Sequence, residues 1–178
     1  MLTFINNRLC PYGHRAWLVL LELGIPFEEK IATIKAGEKE PWFTEIYQKA
    51  LGAQEGSDGK VPVIDDDGFI LSESAIIAEY LVSKYSSSKD LINLSPQDKA
   101  FATVFIEQHF QQYTKAFYSL LREQNEDKRK ELSSDLLKAI KKISAALAAH
   151  GGPYLIGERV TLADLLFYPG RRPGAASG

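Results

Sequence analysis

The period of the apolar residues changes repeatedly between residues 1 and 85 and then stops changing. A spacing of two suits a strand and a spacing near 3.6 suits a helix, so this switch bounds what the chain can fold into. "LTFI" at the start is a short apolar run of strand type, and "YGHRAWLVLLEL" is helical. Pro11 fits the first helical position, where a missing N–H costs nothing, and Gly24 is a natural stop. "PFEEKIATI" reads as extended, and "PWFTEIYQKA" opens a short helix at Pro41. "LGAQEGSDG" is a loop; "VPVI", "DDDG" and "FIL" form a hairpin, followed by the helix "SAIIAEYLVSKY". The order is β-α-β-α-β-β-α over residues 1–85.

The polar stretch "SSSKDLINLSPQD" breaks the periodicity and places a linker at residues 86–96. Beyond it only helical spacing remains. Phe101, Phe105, Phe110, Tyr113, Phe117 and Leu121 predict one long amphipathic helix whose aromatic stripe packs in a core, as do Trp17 and Trp42. Leu132, Leu136, Ile140, Ile143 and Leu147 predict a second, with "EDKRKEL" (126–132) on its solvated face. Thr161 and Asp164 form a capping-box-like pair at a further helix start, with Val160 and Leu165 placed for a hydrophobic staple. The all-helical domain is thus expected over 97–169, with an irregular tail, "GRRPGAASG", at 170–178.

A net charge of −2 argues against nucleic acid or an anionic membrane as the main partner. No apolar run approaches the roughly 18 residues of a membrane span, and no leader precedes the first strand, so a soluble cytoplasmic protein is expected. His109 and His150 have no ligand-like neighbours, and no metal site is expected.

The single cysteine, Cys10, stands before Pro11 at the start of the first helix. An average lone cysteine is a small buried hydrophobe. At a helix N-terminus, however, unpaired N–H groups and the helix dipole favour a thiolate, and Arg15 and His14 stand close in sequence. The expectation is a reactive thiol with a lowered pKa. A disulfide cycle within the chain would want a second thiol at position 13, where Gly13 stands. The partner must come from outside, most simply a small thiol cofactor.

"CPYGHR" on a strand-loop-helix, "KVPV" some fifty residues later, "ESAII" after a hairpin, and an all-helical second half resemble the cytosolic glutathione transferases. The cysteine, where most members carry Tyr or Ser, resembles the omega-like group with its lambda and dehydroascorbate-reductase relatives. The resemblance implies a thioredoxin-like α/β domain followed by an all-α domain. It implies that Cys10 forms a mixed disulfide with glutathione and that Pro62 is a cis proline facing the thiol. Val61 would pair its backbone with the cysteinyl part of glutathione, and Glu73 and Ser74 would hold the γ-glutamyl end. Lys39 would reach the glycyl carboxylate, and Tyr12 would line the pocket. Substrates would be small disulfides or electrophiles, and a homodimer is compatible with the family.

The family continues for several helices beyond the one starting near Thr161, which puts the pocket for a second substrate in doubt here. Two functions follow: a glutathione-dependent thiol transferase or reductase, or a binding module that keeps the fold without turnover. A chloride-channel-like role would need a basic or apolar stretch to meet a membrane, and none is visible.

Overall fold

The structure is a computed structural model that describes residues 1–86 and 91–167. It divides into two compact units, one built from the chain up to Leu91 and one from Ile92–Phe167. The expected tail at 170–178 lies outside the described residues, as do 87–90 of the expected linker.

In the first unit the elements are β1 (Leu2–Asn6), α1 (Pro11–Leu23), β2 (Phe27–Ile31), α2 (Pro41–Lys49), β3 (Val63–Asp66), β4 (Phe69–Ser72) and α3 (Ser74–Tyr85). The sheet order is β2-β1-β3-β4. β1 pairs parallel with β2, and β3 pairs antiparallel with both β1 and β4. This is a thioredoxin-like α/β arrangement. The parallel pair needs a crossover, which α1 supplies. The hairpin turns on Asp67 and Gly68, whose φ angles of 52° and 92° give the doubly left-handed turn that suits two twisted strands. The strand begins at Val63 and runs through Asp66, two residues later than "VPVI", because Pro62 cannot donate to a ladder.

Strand alternation divides the core into two layers. Ile5 and Val63 join Phe43 and Tyr47 of α2 in one buried cluster. Phe4, Asn6, Ile64 and Asp66 therefore point to the other face, which α1 and α3 cover with Val19, Leu20, Ile77 and Leu81, all buried. α1 ends as expected at Gly24 (φ 66°), with Ile25 N donating to Leu20 O.

The second unit is helical: α4 (Pro96–Phe105), a π-helical turn (Ile106–Phe110), α5 (Gln111–Arg122), α6 (Glu126–His150) and α7 (Leu162–Phe167). The expected single regular helix over 101–121 is corrected here. Phe105 and Phe110 are five residues apart, a spacing that an α-helix would turn to different faces. The inserted π turn brings both inward, and both are buried. The aromatic stripe is only partly core, since Phe117 is 38% exposed and Leu121 60%. Trp42, also expected in the core, is exposed on α2, where Phe43 takes the inward position. Asn125 caps α6 by accepting from Asp127 N and Lys128 N, and the 126–131 stretch is exposed as expected.

The start of α7 is held by Asp164. Its carboxylate accepts from Thr161 N (2.8 Å), Thr161 Oγ1 (2.9 Å) and Leu155 N (2.7 Å). The shorter Asp thus serves in place of Glu, and it also ties down the loop before the helix. Among the described residues no helix is long and apolar enough to cross a membrane.

Candidate functional site

Cys10 is the N-cap of α1, in extended backbone, and its N–H donates to Asn7 O (2.9 Å). Its half-buried thiol lies 3.8 Å from Val61 O. The Val61–Pro62 bond is cis, as the resemblance implied. Beside the thiol lies a cavity of about 360 Å³ lined by Tyr12, Tyr47, Gln54, Lys60, Val61, Pro62, Ser72, Glu73 and Ser74.

Each wall has a local cause. Ser74 opens α3, where the first backbone N–H groups have no partner inside the helix. It is buried, and its Oγ accepts from the guanidinium of Arg15 on α1 at 3.5 Å. Glu73 sits before it with φ 74°, a left-handed conformation that is strained for a residue with a side chain. Loop 51–59 reaches the hairpin edge through Leu51 N to Ile70 O and Ser72 N to Leu51 O. Gly52 (φ 89°) is pressed against Ser72 there, since a Cβ would meet Ser72 Oγ at 2.8 Å. Gly59 (φ 116°) lies equally close to the Phe43 ring, which fixes the backbone leading into Lys60 and Val61.

The electrostatics correct one expectation. Burial pushes the Cys10 thiol above its ordinary pKa, outweighing hydrogen bonds from the Gly13 and Tyr12 backbone and the positive charge of Lys39. The helix terminus does act on the sulfur, but its N–H groups do not overcome desolvation. Arg15 is engaged with Ser74, and a ring nitrogen of His14 meets Arg8 O at 2.8 Å.

Of the residues singled out from the sequence, Tyr12, Val61, Pro62, Glu73 and Ser74 line one cavity, and Cys10 adjoins it through Val61. Lys39 is not among the lining residues. Its ammonium donates to Gly59 O and lies 3.7 Å from Asp58 Oδ1, with a side chain only 9% exposed. Sequence reasoning passed over Tyr47, Gln54, Lys60 and Ser72. Lys60 had a visible signal, its place directly before Val61 in "KVPV", whereas Gln54 and Tyr47 reach the wall only through the fold. Among the described residues no group of three or more His, Cys, Asp or Glu side chains could hold a metal.

This thioredoxin-like unit with a thiol at a helix start, followed by a helical unit, defines a class of two-part proteins. The chain matches the family models "Glutathione S-transferase, N-terminal domain" over residues 9–84 and "Glutathione S-transferase, C-terminal domain" over 107–170. It is 31% identical to the glutathione S-transferase-like protein OpS6 of Beauveria bassiana, over 88% of this chain and 73% of that protein. It is 27% identical to glutathione S-transferase DHAR2 of Arabidopsis thaliana, over 90% of this chain and 64% of that protein. The crystal structure of glutathione transferase Omega 3C from Trametes versicolor superposes with a TM-score of 0.72 at 26% identity, covering 93% of this chain and 69% of that one. The chain belongs to the glutathione S-transferase family. It spans about three quarters of the first curated relative and somewhat under two thirds of the second.

Proposed function

We propose that the protein is a glutathione-dependent thiol transferase or reductase of the cysteine type. The observation that carries this reading is the Cys10 thiol 3.8 Å from Val61 O, at the edge of a cavity that ends in Glu73 and Ser74. Glutathione has an ammonium and a carboxylate at its γ-glutamyl end. Glu73 can accept from the ammonium, while Ser74 and the N-terminus of α3 suit the carboxylate. Val61 O, which takes the thiol hydrogen bond, can accept from the cysteinyl backbone of the cofactor. The similarity to glutathione S-transferase DHAR2 and to glutathione transferase Omega 3C supports placing the chain with the omega-like, cysteine-type members.

The chemistry is disulfide exchange. The Cys10 thiolate attacks the glutathionyl sulfur of a mixed disulfide, the S–S bond breaks, and the other thiol leaves as its thiolate. A second glutathione thiolate then attacks the Cys10–glutathione disulfide, which yields oxidised glutathione and restores Cys10. The net reaction reduces one mixed disulfide and oxidises one glutathione. The N–H groups of Tyr12 and Gly13 and the charge of Lys39 are the groups that favour the thiolate during both steps.

A second reading has one observation in its favour. The thiol is pushed up and not down, which fits a glutathione-binding module without turnover. Mass spectrometry after incubation with oxidised glutathione, on wild type and Cys10→Ser over a pH series, separates the two. One glutathione added to the wild type alone, and released by reduced glutathione, supports the transferase. A thiol that stays unmodified at every pH, in a protein that still binds glutathione, supports the module.

A further inference from the structure

Between β1 and α1 the chain must leave a strand and enter a helix within a few residues, and one side chain serves both ends. β1 and β2 pair in parallel up to Asn6 and Ile31, and Ala32 N still donates to Asn6 O at 2.8 Å. In a parallel ladder the next rung would be the backbone N–H of Arg8 donating to Ala32 O. The side-chain amide of Asn7 takes that place, its Nδ2 donating to Ala32 O at 2.8 Å. Ala32 is fully buried, so its carbonyl needs a donor from the protein. With that acceptor satisfied by a side chain, the backbone after Asn7 is released from the sheet and can turn.

The same residue shapes the turn. Asn7 Oδ1 accepts from Leu9 N at 3.1 Å, an Asx-type turn, and Asn7 O accepts from Cys10 N at 2.9 Å. We propose that Asn7 is a positioning residue for disulfide exchange: by closing the ladder and the turn together, it fixes the direction in which Cys10 Sγ meets a glutathione disulfide. This rests on the glutathione-dependent reading of the site.

The thiol is bounded from two segments, by Val61 O at 3.8 Å from the sulfur and by Asn7 O on the Cys10 backbone. Exchange requires the attacking sulfur to be aligned with the S–S bond that breaks, and a shift of about 1 Å can cost about a hundredfold in rate. Alkylation by a small reagent that approaches freely makes no such demand and follows the thiolate alone. Arg8 lies in the same turn, but its exposed side chain pairs with Glu29 and touches neither Ala32 O nor Cys10 N.

The test compares two reactions of Cys10 in the full chain at one pH. One is addition of glutathione from oxidised glutathione, followed by mass spectrometry; the other is alkylation by iodoacetamide. Asn7→Ser keeps an oxygen for Leu9 N and loses the donor to Ala32 O, whereas Asn7→Ala loses both. Glutathione addition should slow by about tenfold or more in Asn7→Ser, and at least as much in Asn7→Ala. Alkylation should stay within about threefold, and calorimetric affinity for reduced glutathione within about twofold, since neither depends on the direction of attack. Arg8→Ala should leave both reactions within about twofold, because an exposed ion pair contributes little. If glutathione addition keeps its rate in both Asn7 variants, or falls only in step with alkylation, Asn7 does not position the thiol. If either Asn7 variant loses its affinity for glutathione, Asn7 belongs to the fold or to binding and not to the exchange. An equal loss in Arg8→Ala would assign the effect to the turn as a whole and overturn the role of Asn7. A wild type that gains no glutathione overturns the glutathione-dependent reading together with this one.

Discussion

Asn6 and Gly13 leave no room between them: a Cβ on Gly13 would lie 1.9 Å from Asn6 Oδ1. Asn6, at the end of β1, is fully buried, and both polar atoms of its side chain are without a hydrogen-bond partner. The first turn of α1, which begins after Cys10, therefore rests directly on a strand side chain. The absence of a second thiol at position 13 has this packing reason in addition to any chemical one. Gly13→Ala should cost about 1–3 kcal/mol as an overpacked contact. In an Asn6→Ala background the clash is gone, and the better helix propensity of Ala should make the same change neutral or stabilising by up to about 1 kcal/mol. A double-mutant cycle by denaturant unfolding measures this, and additive effects would rule the contact out as the cause.

The thiol predicts its own pH profile. Because burial raises the Cys10 pKa, alkylation by iodoacetamide should climb only above the usual thiol value of about 8.5. Lys39 opposes the rise, so Lys39→Gln should move the midpoint further up. A wild-type midpoint below about 8 would contradict the burial argument.

Asp66 is a buried carboxylate that gathers three donors from α3: Lys84 Nζ (2.6 Å), Tyr80 Oη (2.7 Å) and Tyr85 Oη (2.8 Å). Burial pushes its pKa up, but the hydrogen bonds from Lys84, Tyr80 and Tyr85 prevail and hold it below the ordinary carboxylate value. A carboxyl whose folded pKa is depressed stabilises the fold above its unfolded pKa of about 3.9, and that contribution fades as pH falls through the folded value. Asp66→Asn should cost about 1–3 kcal/mol near neutral pH. The gap between variant and wild type should close in acid, which urea unfolding at pH 7 and pH 3 would show. Lys84, whose pKa is raised well above the lysine range by Asp66 first, adds the mirror-image dependence at the alkaline end.

Asp164 holds three donors at the start of α7, two of them backbone N–H groups. Asp164→Ala removes a cap and strands donors on Thr161, which is fully buried. The expected loss is about 2 kcal/mol or more. Asp164→Glu should fail to restore all three bonds if the short side chain is what places the carboxylate between Leu155 and Thr161. Thermal unfolding of the two variants compares them directly.

Much of the α/β unit was legible because its signals are local. Pro11 and Gly24 bracket α1, Asp67 and Gly68 turn the hairpin, and the short apolar runs "LTFI" and "VPVI" mark β1 and β3. The line-up of Cys10, Val61, Pro62, Glu73 and Ser74 was legible too, but through resemblance and not through spacing. The helical unit was less so. A spacing of five between Phe105 and Phe110 sits between two helical periods, and only the tertiary packing, which buries Phe105 among Leu155 and Ile156 and buries Phe110 as well, shows that a π turn resolves it.

The sequence by itself determined the order of the elements in the first unit and the two ends of α1, because proline, glycine and side-chain periodicity act through the backbone of neighbouring residues. The tertiary structure alone decided the state of the thiol and the division between the two lysines. Those depend on desolvation and on acceptors brought in from distant segments: Val61 against Cys10, Gly59 and Asp58 against Lys39, and Gln54 against Lys60. Burial acts on a charge only after the chain has closed around it, so no order of residues along the chain displays it.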